Sequence, residues 1–185
     1  FQAKLSHIDG EKAEISSKEQ SDAVLARLDN AQYVVTEVKK RVTRKQPSPP
    51  FITSTLQQEA SRRLGFQAKR TMKAAQELYE GIEIEGVGAV GLITYMRTDS
   101  LRISDEARNA ASECIESLFG KEYLPSSPRV FKSKKNAQDA HEAIRPSTPE
   151  LNPEKIKSSL SNDQFKLYKL IWERFIASQM ANALL

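Results

Sequence analysis

The sequence predicts a mainly helical α+β fold of winged-helix-like type, a helix-turn-helix plus short strands, with a small β-rich piece ahead of it. Three observations carry this. Two helical patterns joined through Leu64-Gly65-Phe66 have the layout of a helix-turn-helix. The glycine-interrupted stretch 81–95 behind them has room only for short strands. Residues 1–46 read as strand, helix, strand, and Pro47, Pro49 and Pro50 set them off, because proline continues neither a helix nor a central strand.

Each element has its own signal. Ala3, Leu5 and Ile8 mark a strand that ends at the turn dipeptide Asp9-Gly10. Ser17 is placed to cap a helix from Lys18, whose apolar side holds Val24, Leu25 and Leu28. Ala31 to Val42, with Tyr33, Val34, Val35, Val38 and Val42, is the β-branched and aromatic run typical of a strand. Lys39, Lys40, Arg41, Arg44 and Lys45 read as its solvated basic surface, with phosphate contact as the alternative. Ser54 and Gln57 have capping-box spacing, Leu56, Ala60 and Leu64 share a helix face, and Gly65 is placed to end that helix. A second helix from Ala68 turns Met72, Ala75, Leu78 and Tyr79 inward and stops at Gly81. It exposes Lys69, Arg70 and Lys73 where a recognition helix meets DNA, although a plain αα-hairpin accounts for the same pattern.

Ser104 caps a third helix, with Asp105 and Glu106 in the first turn, where the helix dipole favours negative charge. Ala107, Ala110, Ala111, Cys114, Ile115 and Leu118 form its apolar stripe, which makes Cys114 a packed, inert thiol. Residues 129–140, with Lys132, Lys134 and Lys135, read as a mobile polar loop. Ser161 and Gln164 offer a capping box to a final helix. Its wide apolar face, Leu167, Tyr168, Leu170, Ile171, Trp172, Phe175 and Ile176, predicts deep burial.

Composition narrows the function. At 185 residues the chain holds one sizeable domain plus a fragment of another, and it opens at Phe1 as if cut from something longer. No apolar run approaches the roughly 18–20 residues that span a bilayer, so no membrane partner is expected. A single cysteine, Cys114, excludes an internal disulfide and a Cys-rich zinc site and suits a reducing compartment. The net charge of +4 permits a polyanion partner without requiring one.

The chemistry concentrates in Leu92-Ile93-Thr94-Tyr95-Met96-Arg97-Thr98-Asp99-Ser100. Leu92 and Ile93 read as a short buried strand, approached through Gly86, Gly88 and Gly91, and Tyr95–Ser100 as the polar loop leaving it. A phenol with a pKa of about 10 is a poor nucleophile near neutral pH. A fixed cation such as Arg97 favours the phenolate and also stabilises charge on an attacked phosphoryl group, which suits covalent phosphoryl transfer by tyrosine. The alternative is an ordinary strand-end tyrosine beside a solvated Arg97–Asp99 pair.

Ile93-Thr94-Tyr95-Met96-Arg97-Thr98-Asp99-Ser100 resembles the active-site signature of bacterial type IA DNA topoisomerases, in the topoisomerase I branch. Pro50-Phe51-Ile52-Thr53-Ser54-Thr55-Leu56-Gln57-Gln58-Glu59-Ala60, with Arg62-Arg63-Leu64-Gly65-Phe66, is similar to a second motif of that family. Ala140-His141-Glu142-Ala143-Ile144-Arg145-Pro146 is similar to a third. The resemblance implies that 1–46 belong to a β-rich arch or gate domain, that 47–180 form the catalytic-tyrosine domain, and that 181–185 begin the return to the arch.

The resemblance further implies that Tyr95 attacks single-stranded DNA to leave a 5′-phosphotyrosyl enzyme, and that reversal after strand passage relaxes negatively supercoiled DNA. Arg97 becomes the grip on the scissile phosphate, since a guanidinium makes paired hydrogen bonds to phosphate. Thr94, Thr98 and Ser100 offer hydroxyls to phosphates or to the loop backbone. Asp99 is placed to orient Arg97. His141 matches a phosphate-contacting histidine, and an imidazole with a pKa near 6.5 also suits proton transfer. Arg145 is a further phosphate-binding candidate, and with Glu142 it is expected to buttress the loop. The family's magnesium is held by an acidic cluster in a toprim domain. This chain has no Asp-x-Asp-x-Asp-Gly motif, so it is expected to hold no metal itself. The expected partners are DNA and the toprim and remaining arch domains of the same protein. A monomeric, cytoplasmic, nucleoid-associated enzyme is expected, with this chain inactive or nearly so alone. A non-catalytic winged-helix DNA-binding module is the alternative.

Overall fold

The computed structural model describes residues 2–131 and 141–185, so the expected loop 129–140 lies, from Lys132 onward, outside the described residues. The chain divides into two compact units, Phe1–Arg41 and Val42–Leu185.

The first unit opens with β1 (His7–Ile8) and β2 (Glu11–Lys12), an antiparallel hairpin in which Ile8 faces Glu11. Asp9 and Gly10 have φ of 52° and 92°, the left-handed pair that a two-residue turn of the tightest kind requires. Helix α1 (Lys18–Leu28) is capped by Ser17, whose hydroxyl accepts from the Gln20 amide at 3.3 Å. Arg27 reaches back to Asp9 at 3.1 Å. The apolar side expected on α1 stays largely uncovered, with Leu25 60% exposed. The expected strand over 31–42 does not form: Tyr33, Val34, Val35 and Val38 stand in irregular, exposed backbone. β-branched residues favour a strand only where a neighbouring strand and a packed face receive them, and none of the described residues of this unit does so.

The second unit is built around one helix. Its first strand, β3 (Arg44–Lys45), pairs antiparallel with the last, β6 (Ala183–Leu184). Between them run α2 (Thr53–Leu64), α3 (Ala68–Glu80), the hairpin β4 (Ile82–Ile84) and β5 (Gly88–Val90), α4 (Asp105–Phe119) and α5 (Asn162–Gln179). Helices α2, α3 and α4 all pack against α5. Leu167, Tyr168, Ile171 and Phe175 of α5 are fully buried, as its wide apolar face predicts. Its capping box forms as expected: the Ser161 hydroxyl accepts from the Gln164 amide while the Gln164 side chain accepts from the Ser161 amide. Tyr168 donates to the Leu151 carbonyl at 2.7 Å, and Trp172 donates to the Pro149 carbonyl at 2.8 Å. These bonds pin the chain that returns from residue 147 toward α5.

Gly65 ends α2 with φ of 67° and donates to the Ser61 carbonyl. Three details differ from expectation. Helix α2 begins at Thr53 with Ile52 as its cap, because Thr55 accepts from the Ile52 amide and Thr53 is used elsewhere, so Ser54 caps nothing. On α3, Arg70 forms a paired bond to Asp163 of α5 at 2.7 Å and lies over the Phe66 ring, so the basic start of this helix faces α5 as well as solvent. On α4, capped by Ser104, the buried stripe stops at Ile115, and Leu118 is exposed.

Candidate active site around Tyr95

Three segments far apart in sequence meet at Tyr95. The residues from Leu92 to Thr94 run as an extended piece beside the segment 143–147. The Thr94 amide donates to the Arg145 carbonyl at 3.0 Å, the Ser147 amide donates to the Leu92 carbonyl at 3.0 Å, and Ile93 bridges Pro146. On its other side that segment meets Phe51, whose carbonyl accepts from the Ile144 amide at 2.8 Å. The three motifs of the sequence are thus hydrogen-bonded into one unit. Gly91 lets the end of α3 join it: a Cβ there would lie 2.7 Å from the Tyr79 carbonyl oxygen, so only glycine permits this approach. The Leu92 amide donates to the Leu78 carbonyl at 2.7 Å beside it.

The loop beyond Thr94 alternates. Met96, Thr98 and Ser100 are buried, whereas Tyr95, Arg97 and Asp99 are exposed. Thr53, the first residue of α2, anchors the buried members. Its hydroxyl faces the Met96 and Thr98 carbonyls at 2.8 and 3.0 Å and accepts from the Thr98 amide at 2.9 Å. The Thr98 hydroxyl accepts from the Ser100 amide, and the Ser100 hydroxyl accepts from the Arg102 amide. Thr94 donates to the Ala143 carbonyl at 2.7 Å and accepts from the Arg145 amide at 3.0 Å. Of the two uses open to these hydroxyls in the sequence, the structure engages all three with backbone.

Tyr95 is 37% exposed, and its hydroxyl has no hydrogen-bond partner among the described residues. Two rings flank it. His141 stands at 5.5 Å between centroids, tilted by 47°, and Tyr79 at 5.4 Å, edge-to-face at 63°. Arg97 makes no ion pair among the described residues, with Asp99 or with any other carboxylate.

Glu142 accepts from the Ser104 amide and from Arg145, each at 2.5 Å, and Arg145 also donates to the Pro146 carbonyl. Burial by itself raises the Glu142 carboxyl. The Arg145 bond and charge, with the Ser104 amide, outweigh it and hold the group below its ordinary value. The pair ties the His141 segment to the cap of α4, while the Arg145 Nε is buried without a partner among the described residues. Helical spacing with Met72, Ala75 and Leu78 turns Tyr79 toward the core, but the structure leaves it 41% exposed, because it lies in the last turn of α3, two residues before Gly81 ends the helix.

Among the described residues no three His, Cys, Asp or Glu side chains gather to hold a metal ion, and no helix is long and apolar enough to cross a membrane.

A family model described as DNA topoisomerase matches residues 2–185. The DNA topoisomerase 1 of Rickettsia bellii is 48% identical over 189 residues, covering 100% of this chain and 24% of the relative. That of Rickettsia felis is 48% identical over 190 residues, with the same coverage. The full-length topoisomerase I of Thermotoga maritima has the same fold over 96% of this chain and 27% of its own, with a TM-score of 0.71 at 41% identity. The chain thus spans about a quarter of the length of the curated relatives it matches.

Proposed function

The chain belongs to the DNA topoisomerase family, and we propose that it carries the strand-cleaving tyrosine, Tyr95, of a type IA enzyme. The phenol oxygen attacks a backbone phosphorus of single-stranded DNA, and the bond from phosphorus to the 3′ oxygen breaks. The products are a 5′-phosphotyrosyl enzyme and a 3′-hydroxyl, which takes up a proton in place of the one the phenol gives up. Because one phosphodiester replaces another, resealing by the 3′-hydroxyl needs no nucleotide, and strand passage between the two steps relaxes negatively supercoiled DNA.

One observation carries this reading: the three motif segments are bonded together and leave exposed, on the same loop, Tyr95 and an Arg97 that has no ion pair among the described residues. A free guanidinium binds a scissile phosphate and stabilises the charge that grows there. His141, in ring contact with Tyr95, is the second phosphate contact. Thr94, Thr98 and Ser100 keep the loop in shape, and Glu142 with Arg145 braces the His141 segment. No three His, Cys, Asp or Glu side chains gather among the described residues, and the proposed reading assigns the magnesium ion of the whole enzyme to a toprim domain. The proposed substrate is single-stranded or negatively supercoiled DNA, and the proposed enzyme is a monomer that works on the nucleoid in the cytoplasm.

The test is Tyr95→Phe in the full-length enzyme. Covalent adduct on single-stranded oligonucleotide is expected to vanish, with DNA binding within about twofold of the parent, since only the nucleophilic oxygen is removed. Retained cleavage would leave a DNA-binding module in which the ring only stacks on bases.

A further inference from the structure

We propose that Tyr79 is a positioning residue for Tyr95: its ring, fixed at the end of α3, holds the nucleophile's ring at the angle from which the phenol meets phosphorus. This rests on the reading of Tyr95 as the nucleophile. The Tyr95 hydroxyl has no hydrogen-bond partner among the described residues, so no polar contact sets its direction. An exposed phenol on a loop is free to turn unless its ring is held. Ring contacts do the holding, and the one with Tyr79 has the edge-to-face geometry that aromatic quadrupoles favour.

Tyr79 is itself held from behind. The carbonyl of its neighbour Leu78 accepts from the Leu92 amide, and its own carbonyl packs against Gly91, where no Cβ fits. Backbone from α3 to Gly91 and Leu92, and side chain from Tyr79 to Tyr95, therefore form two links between the same helix end and the same loop. A side chain that served packing alone would be covered, yet Tyr79 is 41% exposed and directs its ring at Tyr95. His141 touches Tyr95 from a different segment, so loss of the Tyr79 ring leaves the Tyr95 ring with one of its two ring contacts.

The measurement is single-turnover adduct formation by the full-length enzyme on a single-stranded oligonucleotide with magnesium, with binding followed separately by anisotropy. An edge-to-face pair corresponds to roughly a two- to tenfold bias in orientation, and misalignment at an attacking atom amplifies such a loss. Tyr79→Leu is expected to slow adduct formation about tenfold and leave binding within about twofold. Tyr79→Phe, which keeps the ring, is expected to restore the parental rate. Should Tyr79→Leu fail to fold, Tyr79→Gln, suited to a half-exposed helix end, takes its place. Parental rates in the ring-less variant, weakened binding with an unchanged rate, or a Tyr79→Phe variant as slow as Tyr79→Leu would each overturn the proposal. Tyr95→Phe separates the two readings. If it still forms adduct, the nucleophile assignment fails whatever Tyr79 does. If it forms none while Tyr79→Leu cleaves normally, only the positioning role fails.

Discussion

Arg97 is the residue on which the electrostatics of the proposed reaction rests, because it is exposed and carries no internal ion pair among the described residues. Arg97→Ala in the full-length enzyme is expected to lower the rate of adduct formation about 10²–10³-fold, the usual loss for one preorganised donor at a developing charge. Arg97→Lys should recover only part of it, since an ammonium does not reproduce the paired hydrogen bonds. Rates for the two variants under single-turnover conditions decide the point, and equal activity of lysine and arginine would speak against the grip. Glu142, bonded to Ser104 and Arg145, braces the His141 segment in the proposed account. Its carboxyl titrates lower in the folded chain than in the unfolded one, so its stabilising effect is complete above the ordinary carboxylate range of about 4.3. That effect is lost as pH falls through the depressed folded value. Glu142→Gln is therefore expected to cost about 1.5–3 kcal/mol at neutral pH, the range for a hydrogen bond to a charged group. The gap to the parent should close in acid, and urea unfolding at several pH values would reveal it.

At the scale of elements, the site depends on the first turn of α2 as much as on the tyrosine loop. Thr53 uses its amide and its hydroxyl to bind Met96 and Thr98, so the loop cannot shift without loosening the helix start. Thr53→Val, which keeps the shape and removes the hydroxyl, leaves the Thr98 amide without that acceptor and is expected to cost about 1–3 kcal/mol. Hydrogen exchange at the Thr98 amide should quicken accordingly; unchanged protection would mean the bond matters little. What was legible in the sequence here were local devices. Ser17, Ser104 and Ser161 cap the helices they were expected to cap, and Gly65 closes α2, because each acts on backbone within a few residues. The strand expected over 31–42 was not legible, since strand formation is decided by a neighbour distant in sequence. The same reason hid the engagement of Thr94, Thr98 and Ser100. Their hydroxyl chemistry is visible in the sequence, but whether it meets phosphate or backbone depends on where Thr53, Ala143 and Arg145 fold.

For the molecule as a whole, the proposed reading has the chain supply a nucleophile and its grip, while no cluster for a metal gathers among its described residues and it spans about a quarter of its curated relatives. Cleavage is therefore expected to need the remainder of the enzyme. Incubated alone with single-stranded oligonucleotide and magnesium, this chain should yield less than about 1% of the adduct the full-length enzyme forms, a deficit that loss of metal-assisted charge stabilisation readily accounts for. Efficient adduct formation by the isolated chain would place the whole active site within it. Assignment of the nucleophile is most directly tested by trapping the covalent complex of the full-length enzyme on oligonucleotides labelled at either end, digesting it with protease and sequencing the DNA-linked peptide. The account predicts that the linked peptide contains Tyr95 and carries the DNA by its 5′ phosphate, with a free 3′-hydroxyl on the other fragment. A link through a 3′ phosphate, or through any residue other than Tyr95, would contradict it.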